Sequence, residues 1–176
     1  MKRLLIVVDY QKDFVDGALG FLGAEALDGP IADKIAAYRA TRDDVAFTQD
    51  THQYYYLNTQ EGRRLPVPHC LEGSAGWALY GETAAAADRS RDKIITKPAF
   101  PSLALGTWLE QQDYYQIELV GLVSYMCVLS NAIIAKAALP EAEIVVDAAC
   151  TAGPDPVLHE KALDLLEALQ ITVLNR

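Results

Sequence analysis

The sequence predicts an α/β fold: a doubly wound, mostly parallel sheet of about six strands with helices on both faces. One observation behind this prediction is a set of short apolar runs that are continuous rather than alternating, which is typical of strands buried on both faces. The other is that helical segments separate most of these runs, and such alternation favours a parallel sheet. The predicted strands are LLIVV (4–8), VAFT (45–48), KIIT (93–96), IELVGL (117–122), EIVVD (143–147) and ITVL (171–174).

The predicted helices lie between these strands. The last one, VLHEKALDLLEAL, repeats apolar residues at helical spacing, and Pro156 precedes it at a position where the first turn of a helix tolerates proline. No internal repeat or Pro/Gly/Ser-rich linker interrupts the alternation, so residues 1–176 are expected to form a single domain. The predicted helices are residues 31–39, 75–88, 103–112, 127–139 and 157–169.

Composition and charge narrow the class of partner. The net charge of −9, with Lys and Arg scattered along the chain, disfavours nucleic acid and anionic membrane surfaces. No apolar run approaches the roughly 20 residues that span a bilayer, and the N-terminal MKRLLIVVDYQKDF is too short in its apolar part for a signal peptide. A small molecule is therefore the expected partner, and the oligomeric state, a homo-oligomer included, is left open.

The three cysteines indicate a reducing environment. Cys70, Cys127 and Cys150 are an odd number without CxxC spacing, so a disulfide framework is not expected. We therefore expect a cytoplasmic protein. Cys70 and Cys150 are interpreted as buried structural thiols, while Cys127 stands apart because it follows a predicted strand and opens a predicted helix.

Reactive side chains follow four of the predicted strands, namely Asp9, Asp50, Lys97 and Cys127. Ligands of open α/β sheets bind outside the carboxyl ends of the strands, so we expect these four residues to converge at one edge. Each also has a structural alternative: Cys127 as a small core residue, Asp9 as a strand terminator and Lys97 as a solvated charge. Their coincidence at one edge favours chemistry.

A carboxylate, an ammonium and a thiol together suit acyl transfer from an amide through a thioester. We expect the helix start and Lys97 to lower the pKa of Cys127 and so favour its thiolate. Asp9 can accept the thiol proton and later deliver it to a leaving amine. Backbone N–H groups near the helix start can stabilise an oxyanion.

The segment 49–74 fits neither the helical nor the strand period, and loops of this length are usually functional or disordered. Asp50 and His52 point to the same side of an extended segment, and His69 follows after two prolines. One carboxylate and two imidazoles suit a divalent ion, zinc first, with iron or manganese as alternatives. Glu61 is a candidate fourth ligand. The alternative is that the histidines only hydrogen bond within the loop; His159, in the last helix, is expected at the surface without a role.

Several segments resemble isochorismatase-like cysteine hydrolases, the superfamily that contains nicotinamidase/pyrazinamidase. The segments VVDYQKDF, QDTH, PVPHCLEGSAGW, ITKPAF, GLVSYMCVLSNA and DAACTAG follow the family's order over essentially the whole chain. The resemblance implies a catalytic Asp9, Lys97 and Cys127, the same residues that the strand ends indicate.

The resemblance also implies a metal and a substrate pocket. In the nicotinamidase branch the metal ligands correspond to Asp50, His52 and His69, and the metal binds the pyridine nitrogen of nicotinamide. A cis peptide before the nucleophile loop would place Val123 near the oxyanion hole, and Phe14 would line the pocket.

The chain departs from the family next to the nucleophile and in the metal loop. Ser124-Tyr125 stands where Thr-Asp is common, so Tyr125 is expected to fill, gate or stack within the pocket, and Pro66 stands in place of a stacking Trp. The sequence predicts an amidohydrolase that converts nicotinamide to nicotinate and ammonia. The alternatives are hydrolysis of another small amide or ester, and a catalytically silent binding homologue.

Overall fold

A computed structural model describes residues 2–176, and its centre is a six-stranded sheet in which every strand is parallel to its neighbours. The strand order is β3-β2-β1-β4-β5-β6. This arrangement confirms the predicted fold class. The strands are β1 (Arg3–Val8), β2 (Asp44–Asp50), β3 (Lys93–Lys97), β4 (Gln116–Leu122), β5 (Glu143–Ala152) and β6 (Thr172–Leu174).

Helices cover both faces of this sheet. On one side, α2 packs on β1 and β2 and also contacts α4. On the other side, α5, α6 and α7 bury Leu105, Ala132 and Leu163 in the same apolar cluster as the β1 residues Leu4 and Ile6. The helices are α1 (Lys12–Val15), α2 (Asp28–Ala40), α3 (Gln60–Arg64), α4 (Gly81–Ala86), α5 (Leu103–Leu109), α6 (Leu129–Ala138) and α7 (Pro156–Ala168).

Three predicted elements differ from the structure. The helix predicted over 75–88 is only α4, because residues 76–80 run beside the segment after β1, with hydrogen bonds from Lys12 N–H to Ala78 O and from Tyr80 N–H to Tyr10 O. β5 extends beyond 143–147 to Ala152, across an irregularity in its pairing with β4. The long loop contains α3 and a 3₁₀ turn, Tyr56–Asn58, neither of which was predicted.

Sheet topology creates a crevice at the carboxyl end of β1. The chain moves from β1 to β2 on one side, whereas β4 lies on the other, so the strand order reverses between β1 and β4. Such switch points are where open α/β sheets bind ligands. Gly121, near the end of β4, has a φ of 108°, and a side chain there would collide with the Val8 carbonyl. Glycine therefore lets β4 approach β1 closely at this point.

Among residues 2–176, no helix is both long enough and apolar enough to cross a bilayer.

Candidate active site and metal centre

Lys97 links the other two side chains predicted to be catalytic, Asp9 and Cys127. Its Nζ lies 2.6 Å from Asp9 Oδ2 and 3.4 Å from Cys127 Sγ, and it donates to the Ala99 carbonyl at 3.0 Å. Burial opposes the charge of Lys97, but Asp9, Cys127 and Asp50 outweigh it and raise the lysine pKa above its ordinary value. The lysine is therefore a fixed cation between a carboxylate and a thiol. The structure thus brings the three predicted residues together, as the strand ends indicated.

Asp9 is completely buried at the end of β1, in a left-handed backbone conformation with a φ of 47°. Thr48 Oγ1 donates to Asp9 Oδ1 at 2.7 Å. Burial raises the pKa of Asp9 above its ordinary value, and the nearby Asp50 adds to this, although Lys97 and Thr48 act in the opposite direction. A carboxylate whose pKa is raised in this way is suited to exchanging a proton.

Cys127 lies in a π-helical turn, Ser124–Val128, that leads directly into α6. The helical segment therefore begins three residues earlier than predicted. The expectation of a lowered thiol pKa was also wrong. Burial and the negative charge of Asp9 raise the pKa of Cys127 well above its ordinary value, against the opposing effect of Lys97. The resting group is therefore a thiol, and any thiolate must form by transfer of its proton.

Three side chains near Lys97 form a compact set of metal-ligand type. Asp50, His52 and His69 are all buried, and their ligand atoms lie within 4.8 Å of one another. Asp50 Oδ2 is 2.9 Å from His52 Nε2 and 3.3 Å from His69 Nε2. Asp50 Oδ1 is 3.5 Å from Lys97 Nζ, so the two groups of side chains are adjacent.

The donor atoms of this cluster fit a divalent ion. His69 Nδ1 lies 2.8 Å from the Val67 carbonyl; because a carbonyl only accepts, this nitrogen carries a proton and Nε2 is left as the ligand atom. Glu61 Oε1 lies 3.5 Å from His52 Nε2 and 3.7 Å from His69 Nε2. Ligand atoms about 2.0–2.1 Å from one tetrahedral ion are roughly 3.3 Å apart. The observed separations are close to this value.

Two supporting residues were missed as individual features. Gln11 pairs with the backbone of Asp50: its Nε2 donates to the carbonyl at 2.9 Å, and its Oε1 accepts from the N–H at 2.7 Å. Asp13 Oδ2 accepts from the Cys70 N–H at 2.7 Å, directly after His69. Both lie in YQKDF, just past β1, and the available signal was a pair of polar side chains at a strand end.

The residues predicted to contact substrate are distributed around the cluster. The ring of Phe14 packs edge-on against His69, with centroids 5.6 Å apart. The peptide bond between Leu122 and Val123 is cis, as the resemblance implied. Tyr125 packs against the Val123 side chain and Gly153. Tyr125 therefore lies toward the start of α7, and its part in binding substrate stays a prediction.

His159 differs from its predicted surface position. It is half-buried on α7, and its Nδ1 lies 2.9 Å from Oγ of the buried Ser124. Two other expectations hold: Cys70 and Cys150 are buried, and all three cysteines are free. Burial raises the pKa of Cys150 to about 11.

Comparison with known proteins agrees with this architecture. A family model described as the isochorismatase domain matches residues 3–176. The nicotinamidase/pyrazinamidase of Mycobacterium tuberculosis is 27% identical over 146 residues, which are 74% of this chain and 76% of that protein. The crystal structure of nicotinamidase/pyrazinamidase from Bacillus subtilis superposes with a TM-score of 0.87 at 26% identity, over 99% of this chain and 100% of that one.

A more distant structure shares the fold. The pyrazinamidase of Pyrococcus horikoshii in complex with zinc has a TM-score of 0.86 at 21% identity, and each chain is covered completely. These similarities confirm the resemblance inferred from the sequence segments. Because the family model spans almost every residue and the sheet matches that of the similar structures, this chain belongs to the isochorismatase family.

Proposed function

We propose that this protein is an amidohydrolase that converts nicotinamide to nicotinate and ammonia through a thioester on Cys127. The observation that carries the proposal is the position of Lys97 Nζ, 2.6 Å from the Asp9 carboxylate and 3.4 Å from the Cys127 sulfur. One buried cation there stabilises both a carboxylate and a developing thiolate. The names of the similar proteins, nicotinamidase and pyrazinamidase, support a carboxamide on a small aromatic ring as the substrate.

Acylation begins with proton transfer from Cys127 to Asp9. Asp9 accepts the proton of Cys127 as the sulfur attacks the amide carbon, which forms a C–S bond and places negative charge on the carbonyl oxygen. Backbone N–H groups near the start of the 124–138 helical segment stabilise this oxygen, because the first N–H groups of a helix do not all find a partner within it. Asp9 then transfers the proton to the nitrogen, the C–N bond breaks and ammonia leaves.

In hydrolysis of the thioester, water is the nucleophile and the Cys127 sulfur is the leaving group. Asp9 accepts a proton from water as the water oxygen attacks the acyl carbon. The C–S bond then breaks, the acid leaves, and the proton returns to the sulfur. Lys97 stabilises the thiolate at this stage and holds Asp9 in place, since its charge persists throughout the cycle.

Asp50, His52, His69 and Glu61 would hold a divalent metal ion, with zinc the first candidate. Their chemistry and spacing support this assignment, and zinc is the ion in the Pyrococcus horikoshii pyrazinamidase. When bound, the metal would supply a Lewis acid that the pyridine nitrogen of nicotinamide can ligate. Phe14, beside His69, would border the aromatic ring of the substrate.

A second candidate is hydrolysis of a different small amide or ester on the same scaffold. The observation that favours it is the position of Tyr125, which lies two residues before the nucleophile and packs on Gly153. Pro66 also leaves the metal loop without the stacking Trp common in nicotinamidases.

Ammonia release from nicotinamide and from benzamide tests the proposal. Benzamide carries the same carboxamide but lacks the ring nitrogen. We expect metal-replete wild type to cleave nicotinamide well and benzamide poorly, Cys127→Ala to be inactive, and the matched Cys150→Ala to remain active. A wild type that releases no ammonia from nicotinamide contradicts the substrate. Equal cleavage of both amides, unaffected by a chelator, contradicts the role of the metal.

A further inference from the structure

A buried amide side chain bridges the nucleophile loop and the segment that follows Lys97. Asn131 lies on α6, one turn after Cys127, and is completely buried. Its Nδ2 donates to the Cys127 carbonyl at 2.8 Å and to the Phe100 carbonyl at 2.9 Å. Its Oδ1 accepts from the Ser102 N–H at 3.0 Å. Every polar atom of the side chain therefore has a partner.

These bonds close a ring through the predicted catalytic residues. From Cys127 the ring runs through Asn131 to the 99–102 segment. There the Ala99 carbonyl accepts from Lys97 Nζ at 3.0 Å, and Nζ lies 3.4 Å from Cys127 Sγ. The distance between Lys97 Nζ and Cys127 Sγ thus depends on how the 99–102 segment is held. Lys97 contacts this segment at Ala99, and Asn131 contacts it at Phe100 and Ser102.

We infer that Asn131 is a positioning residue that sets the distance between Cys127 Sγ and Lys97 Nζ. The inference rests on the proposed function, in which Lys97 stabilises the Cys127 thiolate. The neighbouring buried positions of α6, Ala132 and Ala135, are apolar, and burying an amide is unfavourable unless it is fully hydrogen bonded. An asparagine here combines two donors and an acceptor in one plane, which is what two carbonyls and one N–H require.

Smaller polar side chains cannot reproduce the bridge. A serine or threonine at this position can still donate to the carbonyl four residues earlier, and so keeps the bond to Cys127. Its single hydroxyl cannot also satisfy Phe100 and Ser102 on the other segment. Asn131→Ser and the larger Asn131→Thr therefore disconnect the two segments without adding charge near the thiol, and the second variant retains more of the buried volume if the first folds poorly.

The test is the rate of iodoacetamide alkylation at each cysteine, followed by mass spectrometry, which requires no knowledge of the substrate. We expect alkylation of Cys127 to slow about tenfold in both variants, because small misplacements of reacting groups reduce rates strongly. Cys70 and Cys150 should react as in wild type. A purely structural role predicts the opposite, since a loosened fold exposes all three thiols and accelerates their alkylation together.

Ser102→Ala is the matched control. It removes the hydroxyl that caps α5 by accepting from the Leu105 N–H at 3.1 Å, but leaves the Ser102 N–H bonded to Asn131. It should lower the melting temperature without changing the Cys127 rate. With nicotinamide, the Asn131 variants should lose kcat with little change in KM.

Unchanged Cys127 alkylation in both Asn131 variants overturns the inference, and so does faster alkylation of all three cysteines. Failure of the proposed function looks different. In that case wild type releases no ammonia from nicotinamide, whereas the ratio between variant and wild-type alkylation rates of Cys127 still tests Asn131.

Discussion

Asp9 and Asp50 are two carboxylates in nearly the same place with opposite acid–base behaviour. Asp9 directly follows β1, and Asp50 is the last residue of the neighbouring strand β2. Both side chains are buried. The same ammonium, Lys97 Nζ, lies 2.6 Å from one and 3.5 Å from the other. Yet the pKa of Asp9 is raised above its ordinary value, whereas that of Asp50 is lowered.

The difference comes from the neighbours. Burial raises the pKa of both carboxylates, but at Asp50 the hydrogen bonds from His52 and His69, together with Lys97, more than reverse the effect. At Asp9 burial dominates, and the negative charge of Asp50 adds to it. Separation of two adjacent carboxylates in this way is what the proposed mechanism requires, with Asp9 exchanging a proton and Asp50 staying charged. Equivalent strand-end positions are therefore compatible with different chemistry.

The largest expected effect follows replacement of Asp9, the proposed proton carrier. Asp9→Asn keeps the shape of the side chain but cannot accept the thiol proton, so we expect kcat for ammonia release to fall on the order of 10³-fold or more. Metal content, measured by elemental analysis, should remain that of wild type, because Asp50 is intact. A variant that keeps substantial activity would show that Asp9 is not the base, and a loss of metal would show that the two carboxylates act as one unit.

The next largest effect concerns the shared cation. Lys97→Met leaves Asp9 and Asp50 buried beside each other without their ammonium, and removal of one partner of a buried ion pair typically costs about 3–5 kcal/mol of unfolding free energy. Urea denaturation measures this. The matched exposed substitution, Lys161→Met, should change stability by less than about 0.5 kcal/mol.

The double variant Asp9→Asn/Lys97→Met should lose less stability than the two single variants added together, since each partner's burial is costly chiefly when the other is missing. A Lys97→Met protein as stable as Lys161→Met would mean that the lysine does not stabilise the two buried carboxylates. The opposite pKa shifts of Asp9 and Asp50 would then need another cause.

Much of the fold could be predicted from the sequence because its signals are local. Continuous β-branched runs in 4–8 and 143–147 report burial on both faces, and α7 shows a clear apolar stripe with a proline at its start. The helix predicted over 75–88 failed because residues 76–80 pair with the chain just after β1. A contact between segments so far apart in sequence overrides local helical preference, and no local pattern reveals it.

The candidate site also has features that local sequence predicts and features that depend on distant contacts. Residue identity and position at strand ends were sufficient to select Asp9, Lys97 and Cys127. The direction of the Cys127 pKa was not predictable, because it depends on complete burial and on how closely Asp9 approaches. Likewise, the bridge made by Asn131 joins residues about 30 positions apart, and nothing in the spacing of CVLSN indicates where the amide points.

Removal of an imidazole separates the metal centre from the thiol chemistry. His52→Ala deletes one predicted metal ligand beside Asp50, and we expect metal affinity to fall by about 100-fold or more. Elemental analysis after dialysis measures the loss, and His159→Ala, which alters a histidine outside the cluster, should retain the metal. Alkylation of Cys127 should change little. If His52→Ala binds metal as wild type does, His52 is not a metal ligand.

The smallest expected effect tests the tuning of Asp9 itself. The Thr48 hydroxyl donates to Asp9 at 2.7 Å and favours the charged carboxylate, so Thr48→Val should raise the Asp9 pKa further. Because Asp9 must be ionised to accept a proton, activity that disappears as pH falls will disappear at a higher pH in the variant. A lost hydrogen bond to a charged group corresponds to about a tenfold lower kcat/KM on the acidic side.

The exposed Thr96→Val, on β3, is the matched control and should leave the pH profile unchanged. At high pH the Thr48→Val and wild-type rates should converge, since Asp9 is then ionised in both. If activity is lost at the same acidic pH in Thr48→Val as in wild type, that loss reflects the protonation of a group other than Asp9. A uniform loss at every pH would mean that Thr48 orients the carboxylate rather than tuning its protonation, and the difference between Asp9 and Asp50 would then rest on burial and Lys97 alone.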